Sequence, residues 1–233
     1  MFDLGPLEVE AIRLSLRVAV WAVLGSLPFG IFMAWLLARR DFPGKSILDG
    51  VIHLPLVLPP VVTGYALLLL LGRRGPLGEW LEQTLGIVVA FRWTGAAIAS
   101  AVMGFPLMVR AIRLSIEAVD RRLESAAYTL GANRAWVFAT ITLPLTLPGI
   151  LAGAILAYAK SLGEFGATIT FVSNIPGETR TIPNAIYTLT QVPGGESAAL
   201  RLCVIAIVLS MTALLVSELL ARAVGRRIQP HVA

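Results

Sequence analysis

The sequence predicts an all-α polytopic membrane protein with about five transmembrane helices and one short helix at the membrane surface. Hydrophobic residues make up 57% of the 233 residues and charged residues only 14%, whereas soluble domains carry about a quarter charged residues. Five apolar runs reach the roughly 20 residues that a helix needs to cross a bilayer. The net charge of +5 comes from basic residues beside these runs, which indicates membrane topology rather than nucleic-acid binding.

The five runs form a single predicted domain, 1–233. The predicted spans are approximately 11–38, 51–71, 93–115, 136–162 and 198–224. The N-terminal residues are acidic where a signal peptide would be basic, so we expect the first span to be retained. The lone Cys203 offers neither a disulfide nor a thiolate metal site. The chain contains no GxxxxGK[ST] motif, the phosphate-binding loop of many ATPases. Any energy that drives this protein must therefore come from an ATPase partner or from an ion gradient.

Helix-breaking residues interrupt the second span. They are Pro55, Pro59, Pro60 and Gly64. Each proline removes a backbone donor, so this span should be kinked or unwound. A bilayer tolerates such a break where it faces protein or a water-filled cavity. Thr63 and Tyr65 place hydroxyls beside the break, which favours a pathway lining over a simple packing kink.

The third span is rich in glycine, alanine and serine and is predicted to lie inside the bundle, because small residues allow helices to approach closely in lipid.

A short polar helix is predicted between the third and fourth spans, at approximately 121–131. Asp120 can cap its start and Gly131 can end it. An apolar ridge follows three- and four-residue spacing. The ridge consists of Leu123, Ala126, Ala127 and Leu130. Its alanines would let a partner protein approach closely, although a plain connector on the membrane surface would show a similar pattern.

The two ends of the fourth span contain breaking residues. Pro144 and Pro148 are predicted to break its start and to form a hinge. At its far end, SLGEFGA places Glu164 between two glycines. Glu164 is predicted to be a structural partner of Lys160, one turn earlier, and an exposed loop acid is the alternative. The predicted gate here comprises Ser161, Gly163, Glu164, Phe165 and Gly166, and the following segment 178–192 should hold a short re-entrant or interfacial helix.

Basic residues predict the orientation. With the polar helix inside, eleven of the 19 Lys and Arg residues fall on the inner side, which favours an outer N-terminus and a cytoplasmic C-terminus.

The polar helix and the residues after it, up to Pro144, resemble the EAA loop of importer-type ABC transporter permeases, which docks on the ATPase. Nine residues separate Gly131 from Ile141, and Leu143 and Pro144 come next at the family's spacing. The family's glutamate position is occupied by Ser125, with the acid displaced to Glu124. The resemblance thus assigns ATPase coupling to Leu123, Glu124, Ala126, Ala127, Leu130, Gly131, Ile141, Leu143 and Pro144.

Two longer segments, 42–78 and 161–189, resemble permeases of bacterial molybdate ABC importers. The resemblance implies a non-enzymatic inner-membrane permease, paired with a second copy to frame an oxyanion pathway. It further implies two cytoplasmic ATPase subunits, which carry ATP and Mg²⁺, and an external molybdate-binding protein. This chain itself would bind no cofactor or metal. Tungstate or sulfate/thiosulfate remains an alternative substrate, and a gradient-driven anion transporter is the alternative mechanism.

Overall fold

The computed structural model describes residues 4–228, and every regular element among them is a helix. The helices are α1 Pro6–Arg39, α2 Lys45–Val57, α3 Pro60–Leu71, α4 Pro76–Leu85, α5 Trp93–Glu117, α6 Arg121–Thr129, α7 Arg134–Val137, a π-helical turn Phe138–Thr142, α8 Leu143–Leu162, α9 Gly166–Val172, α10 Ile182–Thr190 and α11 Glu196–Ile228. Four helical stretches are long and apolar enough to cross a membrane, or five when the bent pair α2–α3 is included. The predicted fold class is confirmed.

Helix α1 begins earlier than the hydrophobic run that predicted it. Pro6 occupies its first turn, and the Glu8 carboxylate accepts a hydrogen bond from the Gly5 amide at 2.6 Å. Proline is compatible with a first turn because the amide it lacks would have no partner there. The helix of 34 residues is about 51 Å long, which exceeds a hydrocarbon core of about 30 Å.

The second predicted span is two helices rather than one. Leu58 and Pro59 adopt extended backbone between α2 and α3, and the helix axes bend by 114°. Pro60 cannot donate to the preceding turn, and its ring excludes helical geometry from Pro59. With 13 and 12 residues, each helix is about 20 Å long or less, so neither can cross a bilayer alone.

Contacts at the helix ends show that α1 and α5 run parallel. The Arg39 guanidinium at the end of α1 donates to the Val119 carbonyl just beyond α5, at 3.2 Å. Trp21 in α1 packs against Trp93 at the start of α5, with ring centroids 6.5 Å apart. Between two parallel helices the chain must return across the membrane. The α2–α3 pair therefore acts as a broken span rather than a loop that exits on the side it entered.

Two further contacts place the remaining spans. Thr142, before α8, hydrogen-bonds Glu124 of α6, and Ser161 near the end of α8 approaches the Ser100 carbonyl at 3.5 Å, so α8 is antiparallel to α5. Arg201 in α11 pairs with Glu8 at 2.9 Å, so α11 starts beside the first turn of α1. The bundle formed by residues 4–228 thus has five passes, and the start of α1 lies at the end opposite α6.

The start of the fourth predicted span is helical where a break was expected. Arg134 to Leu162 forms one continuous stretch that includes the π-helical turn. Pro144 follows this turn in the first turn of α8, and Pro148 lies within the helix. The wider π turn is an irregularity that redirects a helix without ending it.

Small residues let α5 and α8 pack closely at the centre of the bundle. Ala96 and Ala99 are fully buried. A Cβ atom on Gly104 would lie 3.2 Å from Ala157, and one on Gly153 would lie 2.9 Å from the Met108 carbonyl. Van der Waals packing of this kind holds helices together in lipid, where the hydrophobic effect contributes little.

Candidate functional site

Helix α6 is stabilised by its own end residues. The Asp120 carboxylate accepts a hydrogen bond from the Arg122 amide at 2.9 Å. Gly131 follows the helix with a φ of +85°, a left-handed conformation that residues with a Cβ atom avoid. The Asn133 side chain accepts from the Trp136 amide at 2.8 Å and so starts the next helix immediately. The connection from α6 to α7 is therefore a tight, defined turn.

A surface groove of about 690 Å³ lies between α6 and the helices that follow it. Its lining includes Leu123, Ala126, Ala127, Leu130, Gly131, Trp136 and Ile141. Leu130 is 88% exposed and Trp136 is 55% exposed. Such a concentration of exposed apolar side chains on a polar helix is typical of a protein-docking surface. Six of the nine residues predicted for ATPase coupling line this groove.

The other three predicted coupling residues lie elsewhere. Leu143 is partly buried against the core between α1, α5 and α8, and Pro144 is exposed in the first turn of α8. Glu124 lies on the opposite face of α6, where it pairs with Arg39 at 3.1 Å and accepts a hydrogen bond from Thr142 at 2.7 Å. These contacts tie α6 to the end of α1 and to the π-helical turn.

The two other predicted motifs meet where α3 packs on α9. A Cβ atom on Gly64 would lie 2.5 Å from the Ala167 carbonyl oxygen, and one on Gly166 would lie 2.8 Å from the Pro60 ring. Real Cβ atoms essentially never approach this closely. Glycine is therefore required on both sides of this contact, which we call the α3–α9 contact.

Glu164 positions α9 from the end of α8. Its buried carboxylate pairs with Lys160 at 3.0 Å and accepts a hydrogen bond from the Ala167 amide at 2.9 Å. The carboxylate accepts a hydrogen bond from a backbone amide in the first turn of α9 that would otherwise have no partner. Its negative charge also lies next to the partial positive charge at the N-terminal end of that helix. The geometry suits a structural partner, as the sequence predicted, because the charge is already neutralised.

The remaining predicted gate residues lie within five positions of this contact along the chain. Thr63 is buried, and its hydroxyl has no hydrogen-bond partner among the described residues. Tyr65 is 55% exposed on the outer face of α3. Phe165 packs on Tyr187 of α10 with ring centroids 5.3 Å apart. The last three residues are Ser161, which is buried and bonds the Ala157 carbonyl, and Gly163 and Pro59, which are exposed.

Sequence reasoning missed the contacts that connect these motifs. The Arg39–Glu124 pair joins residues in different helices, and no local spacing indicates it. The Glu8–Arg201 pair joins the first and last helices in the same way.

Beside α6, Lys45 donates to Asp41 at 2.9 Å and holds the pKa of that exposed carboxyl below its usual value, with a smaller contribution from the charge of Arg121.

Known proteins share both the sequence and the helix pattern of this chain. Residues 26–230 match the family model described as binding-protein-dependent transport system inner membrane component. The chain is 68% identical over 215 residues to the molybdenum transport system permease protein ModB of Escherichia coli K12, covering 92% of this chain and 94% of that protein. It is 59% identical over 222 residues to ModB of Haemophilus influenzae, covering 95% and 97%.

A solved structure shares the fold at low sequence identity. The crystal structure of a bacterial ABC transporter involved in alginate import superposes with a TM-score of 0.74 at 16% identity, covering 94% of this chain and 80% of that one. This likeness concerns the fold alone. The predicted resemblance is confirmed, and the chain belongs to the family of binding-protein-dependent transport system inner membrane components.

Proposed function

We propose that this chain is the permease subunit of an ATP-driven importer for molybdate. The observation that carries the proposal is the 68% identity to a molybdenum transport permease over 92% of the chain. The family match supports a binding-protein-dependent transporter, because members of the family work with a separate binding protein. A transport component of this kind carries the anion across the membrane without changing it covalently.

The α6 groove is the proposed contact with a cytoplasmic ATPase. Its apolar lining and its defined turn suit a rigid docking partner. ATP and Mg²⁺ would bind to that partner, which moves α6 when its own subunits close. Glu124 would pass the motion on, since it bonds both α1 and the turn that leads into α8. The α3–α9 contact lies towards the other end of the bundle and would open or close the pathway.

We further propose that two copies frame one pathway. Next to the helix break, Val61, Val62 and Tyr65 are 54%, 47% and 55% exposed. A second copy packed on this face would enclose the pathway and cover the apolar residues. A disulfide between Val62→Cys residues of two copies, in a Cys203→Ala background, would support this arrangement. The matched control is Leu200→Cys, which is 66% exposed on α11; equal cross-linking at both positions would contradict it.

The proposed orientation has the N-terminus outside and α6 in the cytoplasm. The excess of basic residues on the α6 side supports it. An external binding protein would then deliver the anion to the end of the bundle that carries the N-terminus.

Vesicle uptake tests the proposed function. The permease is reconstituted with its ATPase and binding protein, and labelled molybdate uptake is measured with and without ATP and with an uncoupler. We expect uptake that needs ATP, survives the uncoupler and resists excess sulfate. Uptake that is abolished by the uncoupler and is independent of ATP would identify a gradient-driven carrier. Full competition by sulfate or tungstate would assign the other oxyanion instead.

A further inference from the structure

A second, strongly basic pocket lies on the opposite side of α6 from the docking groove. It has a volume of about 240 Å³ and is bounded by the end of α1, by α6 and by the π-helical turn. Its charged lining consists of Arg39, Arg40, Arg121, Arg134 and Glu124. Four guanidinium groups thus face a single carboxylate. The proposed transport function does not use this excess of positive charge.

The arginines of this pocket keep unused donors. Arg39 is 9% exposed and bonds Glu124 and the Val119 carbonyl through one terminal nitrogen, while its Nε has no partner among the described residues. Arg40, Arg121 and Arg134 form no ion pair within residues 4–228 at 4.0 Å or less. A buried guanidinium with an unsatisfied donor is costly unless an anion completes its bonding. Arginine also binds phosphate better than lysine does, because its planar fork donates two bonds at once.

Aromatic side chains form the other walls. Trp35 packs edge-on against Phe138 with centroids 6.1 Å apart, and the Arg40 guanidinium lies over the Trp35 ring at 5.4 Å. Tryptophan of this kind is enriched where a membrane protein crosses the headgroup layer. Further along the same helix, towards the membrane centre, Phe32 and Phe29 are 52% and 66% exposed. The basic pocket therefore opens beside an apolar helix surface.

We propose that this pocket binds the phosphate headgroup of an anionic phospholipid. Phosphate would accept hydrogen bonds from the arginines, and the acyl chains would lie along the exposed aromatic face of α1. A free phosphate would use only the charge and leave that apolar face uncovered. An acidic segment of a soluble partner would likewise leave exposed apolar side chains such as Phe29 uncovered. The combination of basic pocket, interfacial tryptophan and apolar surface favours a lipid.

A bound lipid would act on the coupling helix. Arg39 and Arg121 belong to α1 and α6, and a phosphate held between them would link the two helices in addition to the Arg39–Glu124 pair. The lipid would then hold α6 in the position that presents the docking groove.

Lipid titration of the purified full-length chain tests the proposal. Native mass spectrometry measures binding of phosphatidylglycerol, of phosphatidylcholine and of inorganic phosphate to the wild type and to Arg121→Ala/Arg134→Ala. Both substituted side chains are exposed, so the variant should fold. The matched control is Arg73→Ala/Arg74→Ala, which removes the same charge from exposed residues after α3. We expect the pocket variant to bind phosphatidylglycerol roughly 20-fold more weakly, at several-fold per arginine, and the control to bind it normally.

Four other outcomes would overturn the proposal. Equal weakening in both variants, or none in either, would mean that the pocket does not select the lipid. Displacement of phosphatidylglycerol by an equal concentration of inorganic phosphate would assign the site to a free anion. ATPase binding to the same two variants is measured alongside, and its loss in the pocket variant with unchanged phosphatidylglycerol binding would assign the arginines to a protein contact.

Discussion

Substitution of Leu130 tests the docking groove most directly. Among the described residues Leu130 is the most exposed large apolar side chain, at 88%. Leu130→Ala should leave the isolated permease as stable as the wild type, because this side chain is hardly buried in the folded chain. If the ATPase covers it fully, removing three carbons costs about 2 kcal/mol, at roughly 0.8 kcal/mol per buried methylene. The dissociation constant should then rise about 30-fold.

Surface-immobilised permease and purified ATPase provide the assay. Leu85→Ala is the matched control, since Leu85 is 56% exposed at the end of α4, away from α6. Thermal unfolding of both variants checks that the fold is intact. An unchanged ATPase affinity in Leu130→Ala, or an equal loss in both variants, would refute the docking role of the groove.

Two further substitutions separate the pathway from the coupling contacts. Gly64→Ala places a Cβ 2.5 Å from the Ala167 carbonyl, an overpacking that destabilises the fold by about 1–3 kcal/mol. We expect molybdate uptake to fall while ATPase binding persists. The control Gly50→Ala, where nothing lies within 4 Å of the added Cβ, should transport normally. Glu124→Gln keeps a hydrogen-bond acceptor but leaves the buried Arg39 without a charged partner. The free energy of unfolding should therefore fall by about 3 kcal/mol, which thermal unfolding would detect as a lower melting temperature. The control is Glu117→Gln, which breaks the more exposed ion pair with Arg113. This change should lower the free energy of unfolding by less than about 1 kcal/mol, and a drop equal to that of Glu124→Gln would contradict the assignment.

Local features of the chain predicted most of the candidate site. The cap at Asp120 and the left-handed Gly131 delimit α6 within two residues of its predicted bounds. The ridge spacing placed its four members on the same groove. These features depend on neighbours within one or two helical turns, so the sequence contains the information directly.

The second span shows where local reasoning falls short. Proline chemistry predicted an interruption, but the 114° bend depends on how α2 and α3 pack against other helices. The amphipathic helix α4 and the short helix α9 were not predicted, because neither is long or apolar enough to stand out as a span. The sequence also predicted a break at Pro144, whereas the π-helical turn keeps that region helical.

The sequence by itself determined the membrane class, the positions of the apolar runs and the composition of the apolar ridge on α6, since hydropathy, caps and periodicity act over short distances. Only the tertiary structure decided that Gly64 meets Ala167, that Glu124 pairs with Arg39, and that four arginines gather around one pocket. Each of these joins residues far apart in the chain. Their proximity follows from the packing of whole helices, which no single segment encodes.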